Sequence, residues 1–328
     1  MSGGVLITGG AGYIGSCFAW ACRDARIPFA ILDDLSAGDR KAPPQDAPFV
    51  VAKASDRDAV RRLVSQHRLD TIVHFAASIS VEESVRNPAK HRQNNVEETR
   101  ALIRTAIELD VPNFILCSTA AVYGDVHDQR VSETTPTLPL NPYGQSKLDA
   151  EALLAEAQAM GGPRFVAIRS FNVAGADSHL RTGRRAGGEG NLITACCDVA
   201  TGRRKTLVIH GDDYPTPDGT CVRDFVHVSD LADAHLRAVG HLVRGGDSLV
   251  LNCGSGQGHS VRDVVGAFDE VLGRRLQTRI GPARAGDPVQ VVADNRRIAT
   301  ALGWTPKRSG LKTMVRSALE WRHSCVAA

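Results

Sequence analysis

The chain has 328 residues, 43% apolar and 23% charged, with a formal net charge of +3. That is an ordinary globular composition with room for one large domain or two, and the charge is too small to suggest nucleic acid. No apolar run approaches the ~18 residues of a membrane span. Met1-Ser2-Gly3-Gly4 leads directly into Val5-Leu6-Ile7, without the pattern of a signal peptide.

In chain order, the first part alternates short apolar runs with longer amphipathic ones. Strands are predicted at 4–8, 29–33, 71–76, 113–118 and 165–171, and helices at 13–25, 57–67, 94–109 and 143–159. Strands alternating with helices imply βαβ units, hence a doubly wound, Rossmann-type parallel sheet of the α/β class. Residues 176–190 are rich in Gly and Arg and read as an active-site loop, with Arg181, Arg184 and Arg185 on its solvated surface. Helices near 191–201, 229–244, 261–272, 295–302 and 310–322 then mix with strands near 206–210, 248–252 and 276–281. The expected division is a nucleotide-binding domain at 1–175 and a smaller mixed α/β substrate lobe at 176–328, with some segments returning to the main sheet. Eight Cys occur without a C-x-x-C pair, so reduced thiols in a cytoplasm are expected, with neither a disulfide framework nor a metal site.

Thr8-Gly9-Gly10-Ala11-Gly12-Tyr13-Ile14-Gly15 follows the first strand and opens the first helix. Gly9 allows the tight turn, Gly12 lets backbone approach a pyrophosphate, and Gly15 lets helix and strand pack closely. The helix N-terminus then offers free N–H groups and a positive dipole end to the anion. Asp33 ends the second strand, where a carboxylate accepts hydrogen bonds from an adenosine ribose and repels a 2′-phosphate. That favours NAD over NADP. The same carboxylate could instead cap the following turn.

Asn141-Pro142-Tyr143-Gly144-Gln145-Ser146-Lys147 starts a helix that puts Tyr143 and Lys147 on one face. A free Tyr, with a pKa near ~10, is a poor base at neutral pH. A cation one turn away favours its phenolate and makes it a plausible base toward an alcohol. An incidental pair on an exposed helix is the competing reading, and the glycine loop upstream argues against it.

Together these features resemble the extended short-chain dehydrogenase/reductases, and among them the UDP-glucose 4-epimerase family. The resemblance covers nearly the whole chain. It extends to His74-Phe75-Ala76-Ala77, Glu83-Ser84-Val85, Asn94-Asn95-Val96, Val122-Tyr123-Gly124, Phe171-Asn172, Asp213-Tyr214-Pro215-Thr216 and Asp218-Gly219-Thr220-Cys221-Val222-Arg223-Asp224-Phe225-Val226-His227. It implies a tightly held NAD that is regenerated each cycle, with the sugar oxidised and re-reduced at C4. Tyr143 would take the 4-OH proton, Lys147 would bond the nicotinamide ribose and lower the Tyr143 pKa, and Thr119 would hydrogen-bond the reacting oxygen. Tyr13, Ile14, Asp33, Asp34, Ser36, Phe75, Ala76, Ala77, Asn94 and Phe171 fall at cofactor positions. Asn172, Asn191, Leu192, Val208, Arg223, Arg284 and Asp287 fall at substrate positions, and His210 replaces an aromatic that stacks on uracil. The resemblance also implies a homodimer, paired through the helices at 94–109 and 143–159.

Departures from the family pattern bear on recognition. Lys53-Ala54 stands where a Gly-Asp pair often contacts adenine, with Asp56 nearby. Ser170 replaces a Tyr, and Ile79 replaces a Lys found in some members. Val291 stands beside the sugar 2-substituent, where Tyr marks members restricted to plain hexoses. Room for UDP-N-acetylglucosamine alongside UDP-glucose is therefore expected. Ala120-Ala121 follows Thr119 where a 4,6-dehydratase carries an acid–base pair, so elimination lacks its catalysts. A UDP-xylose/arabinose 4-epimerase would keep the same motifs. A non-catalytic NAD-binding regulator would be expected to have lost Tyr143 or Lys147.

Overall fold

Val5, Leu6, Ile7, Ile31, Leu32, Ile72, Val73, Ile115 and Leu116 are at most 1% exposed, because helices cover both faces of the sheet that they build. The structure, a computed structural model, describes residues 3–126, 130–185, 191–284 and 287–327. The first half runs β1 (Gly4–Thr8), α1 (Tyr13–Asp24), β2 (Phe29–Asp33), β3 (Phe49–Val51), α2 (Arg57–His67), β4 (Leu69–His74), α3 (Val81–Arg86) and α4 (Pro88–Arg92). A π turn (Gln93–Glu97) then leads into α5 (Glu98–Glu108), β5 (Asn113–Thr119), β6 (Arg130–Val131), α6 (Pro142–Ala159), β7 (Arg164–Ser170) and β8 (Asn172–Ala174). The second half runs α7 (Leu192–Ala200), β9 (Leu207–His210), β10 (Val222–His227), α8 (Val228–Val243), β11 (Leu249–Cys253) and β12 (Gly258–Ser260). It closes with α9 (Val261–Leu272), β13 (Thr278–Gly281), β14 (Gln290–Ala293), α10 (Arg296–Leu302) and α11 (Leu311–Ala327).

The main sheet has seven strands in the order β11-β7-β5-β4-β1-β2-β3, and every pairing is parallel. Phe18, Ala19 and Cys22 of α1 pack one face together with Leu231, Ala238 and Leu242 of α8 and Ile298 of α10. Val60 and Leu63 of α2, Leu102 of α5 and Leu154 of α6 pack the other. Burying each such Val, Leu or Ile contributes about 1.5–3 kcal/mol. A second core lies under α7, α9 and α11, around Ile193, Cys196, Phe225, Phe268 and Met314. Between the cores, Val122, Tyr123, Val131, Phe171, Val291 and Ala293 form a small cluster.

Sequence order groups the strand near 248–252 and the helices near 229–244 and 295–302 with the second half. In space they belong to the main sheet: β11 is its edge strand, and α8 packs beside α1. The helix expected at 94–109 is broken at its start by the π turn, where the Asn95 side chain accepts from Ser78 N at 2.7 Å and donates to Ser78 O at 2.9 Å. Such bulges mark places where a side chain is re-aimed. Strands β3, β6, β8, β10, β12 and β14 have no expectation at the level of sequence. β10 carries Arg223 and Asp224 inside an otherwise apolar run, which hides it from a pattern search.

Candidate active site

The glycine loop is shaped by close backbone approach. Gly9 has φ +73°, and a Cβ there would lie 2.7 Å from Ala76 Cα and 2.8 Å from Phe75 C. A Cβ on Gly15 would lie 2.9 Å from Gly10 Cα. Gly12 is the N-cap of α1 and no side chain caps the helix; a Cβ there would meet only Gly9 O, at 3.3 Å. The N-terminus of α1 therefore presents bare backbone toward open space, which suits the pyrophosphate of a dinucleotide. Asp33 is 7% exposed. It ties the loop together, accepting from Ala11 N at 2.9 Å on one oxygen and from Leu35 N at 2.8 Å on the other. It thus both caps the following turn and holds the glycine loop. Burial raises its pKa, and the two backbone donors oppose that rise. Asp34 accepts from Ser36 N at 2.9 Å and Ser36 Oγ at 2.6 Å.

Phe75 and Ala76 leave β4 beside this loop, their N–H groups donating to Thr8 O at 2.9 and 3.2 Å. Ala77 follows them and is half-buried. Asn94 donates to Ser78 Oγ at 2.9 Å. Asn95, to which the sequence assigned no role, also donates to Ser146 Oγ at 2.9 Å, and Ser146 donates to Tyr143 O at 2.8 Å. The cofactor-side loop after β4 is thereby clamped to the first turn of α6. Asn141 caps that turn, accepting from Gly144 N at 2.9 Å, and Pro142 begins the helix.

Thr119 is the last residue of β5, 9% exposed; its hydroxyl accepts from Ala121 N at 3.2 Å, and the side chain lowers the pKa of the Tyr143 phenol. Burial pushes Tyr143 up to about 12, Thr119 pulls it back, and the Cys117 thiol pushes it further. In the chain alone, burial therefore leaves the phenol above the usual tyrosine value rather than below it. Lys147 is 4% exposed and is itself held below the usual lysine value by burial, with Cys117 and Glu151 opposing that shift.

Glu151, one turn beyond Lys147, belongs to a buried network that no sequence motif singled out. It accepts from Ser118 Oγ and pairs with Arg169, Nη2 to Oε2, at 2.7 Å. Arg169 donates to Tyr123 Oη at 2.9 Å, and Tyr123 donates to Asn252 Oδ1 at 2.7 Å. Burial works against the Arg169 charge, yet the bonds and charge of Glu151 hold its pKa above the usual arginine range. The signal available in sequence was the i, i+4 spacing of Lys147 and Glu151.

In the substrate half, Arg223 donates to Asp287 Oδ1 at 2.6 Å and stands in register with Val291 across β10 and β14. Val291 is 8% exposed and packs among Phe171, Val122 and Tyr123, next to the Thr119 turn. Asn172 is exposed at the start of β8, and Asn191 caps α7 by accepting from Thr194 N at 3.2 Å, just before Leu192. Val208 and His210 lie on a separate two-stranded sheet formed by β9 and β13, with His210 Nδ1 3.2 Å from Pro282 O. Arg284 is exposed just beyond β13. The adenine-side departure keeps its distinct chemistry: Lys53 pairs with Glu98 at 3.8 Å, Ala54 is buried, and the Asp56 carboxylate caps α2 by accepting from Ala59 N at 2.9 Å. His227 is buried and joins elements, its Nδ1 accepting from Ser229 N at 3.1 Å and its Nε2 lying 3.2 Å from Ser317 Oγ. The expectation of a solvated arginine loop is corrected for Arg181 and Arg184 but holds for Arg185, whose side chain is 64% exposed while it pairs with Asp39. Arg181 pairs with Asp177 at 2.7 Å and Asp24 at 2.8 Å and stacks over Trp20, while Arg184 is packed over the Tyr13 ring at 5.8 Å. The residues expected at 186–190 of that loop lie outside the described ones.

The model of the NAD dependent epimerase/dehydratase family matches residues 5–254. A UDP-glucose 4-epimerase of Azospirillum brasilense is 47% identical over 320 residues, 98% of this chain and 92% of its own. The crystal structure of a Stenotrophomonas maltophila UDP-glucose-4-epimerase with bound NAD and formylated UDP-arabinopyranose matches with a TM-score of 0.95 at 36% identity, covering 99% of both chains. A UDP-Glc/GlcNAc 4-epimerase of Campylobacter jejuni matches with a TM-score of 0.86 at 40% identity, covering 99% of this chain and 100% of its own.

Proposed function

The chain belongs to the NAD dependent epimerase/dehydratase family, and from that premise we propose that it interconverts UDP-glucose and UDP-galactose through NAD-linked oxidation and re-reduction at C4. The observation that carries this reading is Thr119 at the end of β5, acting on the Tyr143 phenol and followed by Ala120 and Ala121 rather than by an acid–base pair. Bound NAD supplies reversible hydride transfer and a positive nicotinamide ring that favours a nearby phenolate. Tyr143 Oη takes the proton of the sugar 4-OH and later returns it. Thr119 Oγ both donates and accepts, so it can bridge that oxygen in either direction. Lys147 holds a positive charge one turn behind the base. Burial holds Tyr143 up to about 12 in the chain alone, so the base needs the nearby positive charge that bound NAD would supply. With no group at 120 or 121 able to move a second proton, the 4-keto sugar is reduced rather than dehydrated.

Substrate breadth is proposed from Val291. A branched aliphatic side chain beside the sugar leaves room at C2 that a phenol ring would fill, and the C. jejuni relative is named for both Glc and GlcNAc. We place the chain in a reducing cytoplasm, consistent with its eight free thiols, and infer a homodimer through the outer faces of α5 and α6, which sedimentation would test. The test of function is incubation with UDP-galactose, UDP-N-acetylgalactosamine and UDP-arabinose, with products resolved by NMR. Equilibration of the first with UDP-glucose is expected. Retention of NAD with no turnover of any sugar would sink the reading in favour of a regulator. Turnover of UDP-arabinose alone would favour the pentose activity. Val291→Tyr is expected to lower turnover of the N-acetyl sugar at least tenfold while sparing UDP-galactose.

A further inference from the structure

His91, on the short helix α4, is 0% exposed, and neither of its ring nitrogens has a hydrogen-bond partner. Its Nε2 lies 3.4 Å from Glu83 Oε2 of α3, outside hydrogen-bond geometry. The imidazole stands nearly perpendicular to the Tyr143 ring, with centroids 6.2 Å apart and planes at 83°. Burial lowers the His91 pKa, the Glu83 carboxylate opposes that shift without cancelling it, and Lys90 adds to it. The ring therefore packs as a neutral imidazole. Buried polar atoms are normally bonded, so two bare nitrogens in one ring call for a reason other than polar pairing.

Tyr143 is held at its backbone by the chain from Asn95 through Ser146 to Tyr143 O. That chain leaves the side chain its own two torsions. Swing about χ1 carries Oη through an arc, and χ2 of a Tyr is a soft, two-fold rotation that turns the hydroxyl lone pairs. A perpendicular ring packed against the phenol opposes both motions, and it is an arrangement that aromatic pairs favour. The wall is itself anchored. Ser80 caps α3 by accepting from Glu83 N at 3.1 Å, Asn87 caps α4 by accepting from Lys90 N at 3.2 Å, and Lys90 Nζ meets Glu83 Oε1 at 2.6 Å. Helix α4 runs straight into the π turn that carries Asn95, so the ring and the backbone of Tyr143 are braced from one segment.

We propose that His91 is a positioning residue for Tyr143: its ring is the wall that sets the plane and tilt of the phenol, and the Glu83–Lys90 pair keeps that wall in place. The role rests on the proposed C4 chemistry, in which the Tyr143 hydroxyl must meet the sugar 4-OH both when it takes the proton and when it returns it. It uses the shape of the imidazole and not its protons, so a flat apolar ring should serve as well.

The test compares the NAD-loaded unmodified protein with His91→Leu and His91→Phe. Both variants remove the bare nitrogens and keep the space filled, so both are expected to melt at or above the unmodified protein. His91→Leu replaces the flat ring with a branched chain. Its kcat should fall about tenfold, the cost of a misplaced reacting group, with KM for UDP-galactose within about twofold. His91→Phe should recover most of that loss. Tyrosine labelled with carbon-13 in the ring gives a readout that needs no turnover, the Tyr143 signal being identified by its absence from Tyr143→Phe. The Tyr143 ring should flip slowly in the unmodified protein and in His91→Phe, and fast in His91→Leu. An unmodified protein that turns over no UDP-sugar would defeat the C4 chemistry, and the flip rates would still decide the role of His91. A kcat unchanged in His91→Leu, a loss as deep in His91→Phe as in His91→Leu, or a Tyr143 ring that flips equally fast in all three would each overturn the proposal.

Discussion

Two ion pairs of nearly equal length sit on opposite sides of the candidate site. Arg169 and Glu151 meet at 2.7 Å, each with 7% of its side chain exposed. Arg223 and Asp287 meet at 2.6 Å with 16% and 28% exposed. The first pair is enclosed by Ser118 and Tyr123, so it is committed to its own partners. The second lies beside strand β14 and the Val291 position and is more open to water. Similar geometry therefore serves different ends. The sheet side carries a buried, fully bonded pair behind Tyr143 and Lys147; the lobe carries a more open pair, whose charges we propose are exchanged for a ligand's.

The largest expected effect falls on chemistry at the scaffolded side. Tyr143→Phe removes the proton carrier and leaves the clamp from Asn95 through Ser146 to the Tyr143 backbone in place. Turnover should fall roughly 10²–10⁴-fold, with NAD still retained after gel filtration. Arg223→Met should instead raise KM for the UDP-sugar and leave kcat within a few-fold. Equal kcat losses in the two variants would erase the distinction between scaffold and exchangeable charge.

Next in size is the stability of the scaffold. Arg169→Met leaves the Glu151 carboxylate buried without its counter-charge, at an expected cost of about 3–5 kcal/mol. Denaturant unfolding would measure it. A cost under about 1 kcal/mol would mean that water enters the network and that the pair is no more committed than Arg223–Asp287.

Acid should act on both sides, through two histidines at the main sheet and one at the end of β10. Burial lowers His74 to about 3 and both His227 and His235 to about 4. These side chains stay neutral in the folded chain but take a proton near 6.5 when unfolded. Stability is therefore complete above that value and lost as pH falls through it, by about 2 kcal/mol for each histidine by pH 5. Asp33 and Asp224, both raised by burial, work in the opposite sense closer to their own range. A melting temperature unchanged between pH 8 and 5 would show that these imidazoles are not held neutral.

The same contrast explains what was legible in sequence. Gly9 and Gly15 were readable because each answers a backbone constraint, a close approach to Ala76 and to Gly10, whereas Asp33 was readable as the cap of its own turn but not as the acceptor of Ala11 N. Tyr143 and Lys147 were readable because a helix fixes their relation. Strand β10 was not, because Asp224 sits inside it. That carboxylate accepts from the backbone N–H groups of Ser255, Gly256 and Ala293, partners that only the fold supplies. Strand β3 was missed because three partly exposed residues at a sheet edge give no alternation. The Glu151–Arg169–Tyr123–Asn252 network joins residues far apart in sequence, and only its first link, at helical spacing from Lys147, left a trace. Arginines 181 and 184 looked like a solvated cluster because sequence shows their charge but not Asp24, Asp177 and Tyr13 beneath them.

The smallest effect is the sharpest test of the exchangeable pair. A double-mutant cycle of Arg223→Met and Asp287→Asn, measured by unfolding without substrate, should give a coupling of about 0.2–1 kcal/mol, the range of partly exposed pairs. Repeating the cycle with UDP present should reduce it, because a diphosphate engaging the guanidinium takes the place that Asp287 holds in the free chain. Asp287→Asn alone leaves Arg223 without its counter-charge but with an amide oxygen to accept its hydrogen bond, so its own stability cost should stay within about 1 kcal/mol. A coupling that grows on adding UDP would show that Asp287 orients Arg223 toward the ligand rather than yielding to it. The lobe would then be as fixed a scaffold as the sheet.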